Sequence, residues 1–119
     1  MGLRQVRLAD EMRDVLASCF MAHRLEDPRL ENIVITHVKL SADLQLASVY
    51  FRVMGREDKE VAEQMASISQ GFESCKGFLK KALSARIKLR RIPNLRFFYD
   101  ESIETGARVE SILQNFPSK

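Results

Sequence analysis

Apolar residues recur at intervals of mostly three and four near the start of the chain, as Val6, Ala9, Met12, Leu16, Cys19 and Phe20. Arg7, Asp10, Glu11, Arg13 and Asp14 fill the other faces, so the spacing predicts an amphipathic helix over residues 6–23. Asp27-Pro28-Arg29-Leu30 ends it, because proline cannot continue a helix and biases the residue before it toward extended geometry. Residues 33–40 and 47–54 are rich in β-branched and aromatic side chains and alternate in part. Only a short cluster, Ser41-Ala42-Asp43, lies between them, which predicts an antiparallel hairpin. Gly55 ends the second strand.

Glu57, Asp58, Glu60 and Glu63 then crowd the start of the next element, where negative charge complements the positive end of a helix dipole. An apolar stripe of Val61, Met65, Ile68, Phe72, Leu79 and Leu83 follows, interrupted by Gly71 and Gly77. Each glycine costs roughly 1 kcal/mol relative to alanine inside a helix, which predicts two helices joined by a kink at residues 74–77. Arg91-Ile92-Pro93-Asn94 forms a break, and Leu95-Arg96-Phe97-Phe98-Tyr99 reads as a short aromatic strand. Asp100 or Ser102 can cap a last helix that buries Ile103, Ala107, Val109, Ile112, Leu113 and Phe116. The expected order is αββααβα. Neither the half-apolar strands nor the amphipathic helices can bury themselves alone, so helices must cover one face of a three-stranded sheet. The expected class is α+β in two layers; the pattern leaves open which strand is central.

Length and composition narrow this to one compact unit spanning residues 1–119, with the hydrophobic content of an ordinary globular protein. Cys19 and Cys75 fall in helical stretches with no CxxC pair or Cys/His cluster, so no metal site is expected and a reducing cytoplasm fits best. No apolar run is long enough to span a bilayer, and Met1-Gly2-Leu3-Arg4 carries no targeting signal, so a soluble protein that stays where it is made is expected. Net charge is only +3, yet its distribution is uneven. Lys76, Lys80, Lys81, Arg86, Lys88, Arg90, Arg91 and Arg96 lie within residues 76–96 without a single acid, leaving 11 basic against 16 acidic residues elsewhere. A solvated face is usually mixed in sign; an acid-free basic stretch points to a phosphate-bearing partner.

The element order is similar to that of a type II KH domain. Three strings narrow the resemblance: Asp27-Pro28-Arg29-Leu30, then Gly77-Phe78-Leu79 leading to Leu89-Arg90-Arg91-Ile92-Pro93-Asn94-Leu95-Arg96-Phe97, and finally Asp100-Glu101-Ser102-Ile103-Glu104 followed by Gly106 and Arg108. These resemble the ribosome-binding factor A family. An ordinary KH domain clamps the nucleic-acid backbone with a Gly-x-x-Gly loop, which is absent here. That family instead carries a kink of the type Ala-x-Gly, matched by Cys75-Lys76-Gly77, with Cys75 in the place of alanine and expected to be structural. The resemblance implies a monomeric, cytoplasmic, KH-like RNA-binding domain without a cofactor. It implies association with the free small (30S) ribosomal subunit and its 16S rRNA, and assistance in late maturation, 16S processing and cold adaptation. The sequence stops at Lys119, shortly after the expected last helix, without the longer polar tail some members carry.

From the residues themselves, the expected RNA-binding set is Lys76, Gly77, Lys80, Lys81, Lys88, Arg90, Arg91 and Arg96, joined by Arg4 and Arg7 from the first helix. If a helix starts at Gly77, its lysines sit at an N-terminus, where the dipole disfavours cations by about 0.3–1 kcal/mol each and backbone N–H groups favour phosphate. The bland reading is that these lysines only solvate the helix surface; Arg91 equally suits bracing the turn before Pro93, and Arg4, Arg7 and Arg29 suit ordinary surface charge. Phe97, Phe98 and Tyr99 are read as core rather than a stacking platform, because a thin sandwich needs large side chains. His23 and His37 stand in no motif with a nucleophile, so no enzyme is expected. No P-loop is present, so any nucleotide hydrolysis belongs to a partner GTPase. The competing reading is a KH-like module whose basic stretch docks an acidic protein.

Overall fold

A computed structural model describes residues 2–21 and 25–101 of the chain. They form α1 (Leu3–Met21), a 3-10 turn (Pro28–Leu30), β1 (Ile33–Leu40), β2 (Leu46–Val53), α2 (Asp58–Arg86) and β3 (Asn94–Tyr99). The strand order is β1-β2-β3, with β1 antiparallel and β3 parallel to β2, so the second hairpin strand is central. Both helices cover one face, giving the expected two-layer α+β class. Residues 22–24, with His23, and the expected last helix from Ser102 onward lie outside the described residues.

The long helix departs from expectation. No break separates two helices at residues 74–77; α2 runs unbroken from Asp58 to Arg86. Its buried stripe of Val61, Ile68, Gly71, Phe72, Cys75, Leu79 and Leu83 includes Gly71 and continues past Gly77. Burial of large apolar side chains is worth about 1.5–3 kcal/mol each, which outweighs two glycine penalties of about 1 kcal/mol. The acidic start behaves as expected: the Glu60 carboxylate accepts from the Glu57 N–H at 3.3 Å.

The two glycines have different reasons. A Cβ on Gly71 would meet Cγ and Cδ2 of Leu30 at 2.9 Å, because the 3-10 turn packs directly on α2. Asp27 organises that turn, accepting from the Arg29 backbone N–H (2.9 Å) and from its guanidinium (3.0 and 2.7 Å). Arg29 also reaches Ser74 Oγ on α2 at 3.3 Å. The tetrapeptide is therefore a turn and capping device, and Arg29 is engaged within it. Gly77, by contrast, is exposed with nothing within 4 Å of its would-be Cβ. Gly71→Ala is expected to destabilise by about 1 kcal/mol or more, through overpacking against Leu30. Gly77→Ala is expected to stabilise by roughly 0.5–1 kcal/mol, as for any exposed helix glycine. Thermal melts of the two variants should move in opposite directions; a Gly71→Ala protein that melts higher would contradict this packing.

Strand β1 contains a bulge. Ile33 and Ile35 are buried, and so are Val38 and Leu40, a phase change that a regular period of two forbids. The pairing shifts between Ile35 and His37, leaving Thr36 as the extra residue. Thr36 Oγ1 is anchored by Asp100 Oδ2 (2.8 Å) and the Tyr50 carbonyl (3.2 Å). Phe72 lies at the centre of the aromatic core: its ring stacks on Phe97 at 4.0 Å and meets Phe51 edge-on at 4.9 Å. Of the expected core of α1, Val6 is 44% exposed, while Val15, outside the expected stripe, is buried.

Two buried or half-buried acids resist ionisation. Burial pushes the Cys75 thiol up to about 11, and Sγ lies 3.5 Å from the Phe72 carbonyl, as suits a structural cysteine. Burial, followed by the hydrogen bond from its hydroxyl to Asp58 Oδ1 (2.6 Å), pushes Tyr99 up to about 12. Both are held neutral by folding and ionise more readily in the unfolded chain, so their stabilisation is complete below the unfolded value and lost as pH rises through the folded one. The melting temperature is therefore expected to fall between about pH 9 and 12, with part of the loss removed by Cys75→Ala. An unchanged melt at pH 11 would contradict both assignments.

Candidate nucleic-acid interface

Strand directions decide where the charges collect. Because β1 is antiparallel and β3 parallel to β2, the end of β1, the start of β2 and the start of β3 share one end of the sheet. α2 must return to that end to deliver the chain into β3, so Arg86 and the loop carrying Lys88, Arg90 and Arg91 arrive there too. The loop meets the β1–β2 turn: residues 89–94 and Asp43, Leu44 and Gln45 line a hollow of about 370 Å³. Asn94 N–H donates to the Gln45 carbonyl at 2.9 Å. The start of α1 is tied to the same end by Gln5, whose Nε2 donates to the Leu40 and Ser41 carbonyls at 3.0 Å each. Arg4 and Arg7, both exposed, thus lie at the same end, a placement that sequence alone could not give.

The opposite end is acidic. Glu26, Asp27, Glu31, Glu57, Asp58, Glu60, Asp100 and Glu101 flank the start of β1, the start of α2 and the end of β3. Two arginines there are engaged: Arg29 with Asp27 at 2.7 Å, and Arg52 with the Asp100 carbonyl at 2.6 Å and Asp58 at 3.8 Å. The Arg29 guanidinium holds the Asp27 carboxyl below its usual value. Charge is thus segregated along the strand axis, not merely along the sequence.

This polarity changes how the lysines attract phosphate. Lys76, Lys80 and Lys81 do not stand at a helix N-terminus. They lie in the later half of α2, on the order of 27 Å beyond its start, where N–H groups are already paired. Cations near a helix C-terminus complement the dipole, so Arg86 stabilises α2 and nothing in the later half of α2 offers backbone N–H groups to a phosphate. Side-chain charge alone remains as the attraction.

The three lysines face different ways. Lys80 Nζ donates to Asn94 Oδ1 at 3.1 Å, linking α2 to the start of β3 at the basic end. Lys76 and Arg96 line a groove of about 270 Å³ between α2 and β3, together with Ser69, Phe72, Glu73, Phe97 and Phe98. Lys76 pairs with Glu73 at 2.8 Å, an exposed contact that contributes little and yields easily to a phosphate. Lys81 and Arg86 instead flank a hollow of about 510 Å³ against Val15 of α1, beside Phe78, which is 41% exposed. Lys80 and the loop residues Lys88, Arg90 and Arg91 therefore gather at the basic end, Lys76 and Arg96 lie in the adjoining groove, and none stands at a helix N-terminus. In the loop and the start of β3, Leu89 and Ile92 are half-buried and Leu95 buried, while Lys88, Arg90, Arg91 and Arg96 are exposed.

The aromatic strand divides. Phe97 and Tyr99 pack toward the core, but Phe98 is 38% exposed on the opposite face, so the expectation that all three are core fails at Phe98. His37 is likewise exposed, beside Tyr50, with the two rings 5.9 Å apart. Strict alternation from Ile33 and Ile35 would have turned His37 inward; only the bulge exposes it. Among the described residues no group of His, Cys, Asp and Glu could hold a metal ion, and no helix is long and apolar enough to cross a membrane.

Comparison with known proteins agrees with this architecture. The sequence model of the ribosome-binding factor A family matches residues 4–113. Ribosome-binding factor A of Desulfatibacillum aliphaticivorans is 40% identical over 93% of this chain and 85% of its own length. That of Staphylococcus saprophyticus is 37% identical over 100% of this chain and 99% of its own. The crystal structure of ribosome-binding factor A from Thermus thermophilus superposes with a TM-score of 0.65 at 29% identity, covering 80% of this chain and 93% of that one. A homology model of the Thermus thermophilus factor, fitted into a cryo-EM map of its complex with the 30S subunit, matches with a TM-score of 0.59 at 29% identity, over 79% and 92% of the two chains. With the family model matching residues 4–113 and relatives of 40% and 37% identity aligned over 93% and 100% of the sequence, this chain belongs to the ribosome-binding factor A family.

Proposed function

We propose that this chain, acting as a monomeric KH-like unit in the cytoplasm, binds the free small ribosomal subunit through its 16S-type rRNA. There it assists late maturation, including processing of the 16S precursor and adaptation to cold, without catalysing a reaction; nucleotide hydrolysis falls to a partner GTPase. The observation that carries this reading is the basic rim: Arg4, Arg7, Lys80, Lys88, Arg90 and Arg91 meet at one end of the sheet, with Lys76 and Arg96 in the adjoining groove. The Thermus thermophilus factor described in complex with the 30S subunit supports it.

Phosphate contacts of this kind give affinity without reading sequence, so folded rRNA is recognised by its shape. Gly77 fits this role. An exposed glycine with open space around it weakens α2 for no internal reason, and it leaves the helix surface beside Lys76 and Lys80 low enough for a sugar-phosphate backbone to approach. Co-sedimentation with small subunits across a salt series tests the proposal. Retention should fall steeply with ionic strength, and naked 16S rRNA should compete for it. Retention that rRNA does not compete away would favour docking on an acidic ribosomal protein instead.

A further inference from the structure

Two cations of the acid-free stretch stand apart from the set that carries the RNA-binding reading. Lys81 and Arg86 flank the hollow of about 510 Å³ that α2 forms against Val15 of α1. Phe78, Ala82 and Ala85, all on α2, complete its lining. Phe78, Lys81, Ala82 and Ala85 follow one another at intervals of three, one and three, so they share a face of the helix. Leu79, next to Phe78 in sequence, is fully buried in the core, whereas Phe78 is 41% exposed. A single exposed apolar residue is ordinary; a phenylalanine continuous with an apolar hollow marks a contact surface.

The charges beside the hollow are available. Lys76 is paired with Glu73 and Lys80 is bonded to Asn94, but among the described residues neither Lys81 nor Arg86 is in an ion pair. The lining also discriminates between kinds of occupant. The side chains of Val15, Phe78, Ala82 and Ala85 neither donate nor accept hydrogen bonds, and those of Lys81 and Arg86 only donate. A nucleobase seated here would bury N–H donors that no side chain of the lining accepts. Aliphatic side chains leave nothing unpaired in the hollow, and carboxylates beside them need only the donors that Lys81 and Arg86 supply.

We propose that this crevice between α1 and α2 docks a protein segment of mixed apolar and acidic character, its apolar side chains in the hollow against Phe78 and its carboxylates on Lys81 and Arg86. An amphipathic helix laid into a groove meets these requirements. The cations select an acidic partner over a basic one, and the buried apolar anchors supply the affinity. The contact lies beyond the proposed rRNA interface and does not depend on it.

Fluorescence anisotropy of a short labelled helical peptide, with leucines on one face and glutamates on the other, titrated against the full chain at about 0.15 M salt tests the crevice; at that ionic strength distant charges are screened. The peptide should bind saturably, and a counterpart with lysines in place of the glutamates should bind roughly tenfold or more weakly. Phe78→Ser and Ala85→Glu, both at exposed positions, should each weaken binding of the glutamate peptide by roughly tenfold. The Lys88→Glu/Arg90→Glu/Arg91→Glu variant should hold the peptide to within about threefold of the parent, since those residues lie outside the hollow. Absence of binding, equal binding of the two peptides, or a Phe78→Ser variant that binds like the parent overturns the proposal. Loss in Phe78→Ser of affinity for an RNA octamer but not for the peptide assigns the hollow to RNA, and a dimer of the parent that Phe78→Ser dissociates assigns it to a second copy; either overturns it too. Co-sedimentation with small subunits keeps the two readings separate: Phe78→Ser should be retained like the parent, and a parent that is not retained removes the proposed function whatever the peptide does.

Discussion

Replacing Lys88, Arg90 and Arg91 together by glutamate is expected to abolish retention on small subunits at moderate salt while leaving the fold intact. All three are exposed and lie outside helix and strand, so reversing them disturbs no buried packing. Their effect falls on phosphate instead. Each phosphate left without its cation lowers the dependence of log affinity on log salt by about 0.7–0.9, so the slope should drop by about 2–3 units, and the added repulsion should weaken binding by roughly a hundredfold or more. Lys59→Glu provides the control, because Lys59 is exposed near the start of α2 at the acidic end and should change binding little. A folded triple variant retained like the parent would remove the basic end from the interface.

Phe72→Ala carries the largest expected effect on stability. The residue is 2% exposed, stacks on Phe97 at 4.0 Å with ring planes 2° apart, and its ring centroid lies 4.9 and 6.0 Å from those of Phe51 and Phe20. It joins α1, β2 and β3 through one side chain on α2, so no single element can move to fill the space. Truncation of such a phenylalanine costs about 3–5 kcal/mol, a large part of the roughly 5–15 kcal/mol that typically holds a domain folded. Phe72→Leu, which keeps most of the volume, should cost about 1–1.5 kcal/mol. Urea unfolding of the two variants checks the ranking; a Phe72→Ala loss below about 1 kcal/mol would mean that α2 does not cross the sheet at this point.

The elements with strong periodicity are legible in the chain itself: α1, the hairpin and β3 lie within a few residues of where apolar spacing puts them. The continuity of α2 is not, because glycine penalties are visible in sequence and the compensating burial of Ile68, Phe72, Cys75 and Leu79 is hidden. The same difficulty reaches the site, since only a helix beginning at Gly77 would present free backbone N–H groups beside the lysines. The basic residues are legible because charge needs no fold to be seen. Their gathering with Arg4 and Arg7 is not, because it depends on β3 running parallel to a central β2. Least legible is the face of the sheet turned away from the two helices. The bulge at Thr36 leaves no mark in composition, and it alone decides whether His37 meets the core or Tyr50.

Segregation of charge along the strand axis gives the proposed interface a direction. The acidic end, where Asp27 and Asp58 hold Arg29 and Arg52, repels phosphate and turns the molecule so that its basic end leads. Amide hydrogen exchange of the chain free and bound to small subunits tests this most directly. Slowed exchange is expected in residues 41–46 and 86–94, around the β1–β2 turn and the loop before β3, with residues 26–32 and 54–60 unchanged. Protection of residues 26–32 and 54–60, with residues 86–94 exchanging as in the free chain, would contradict a basic-end interface.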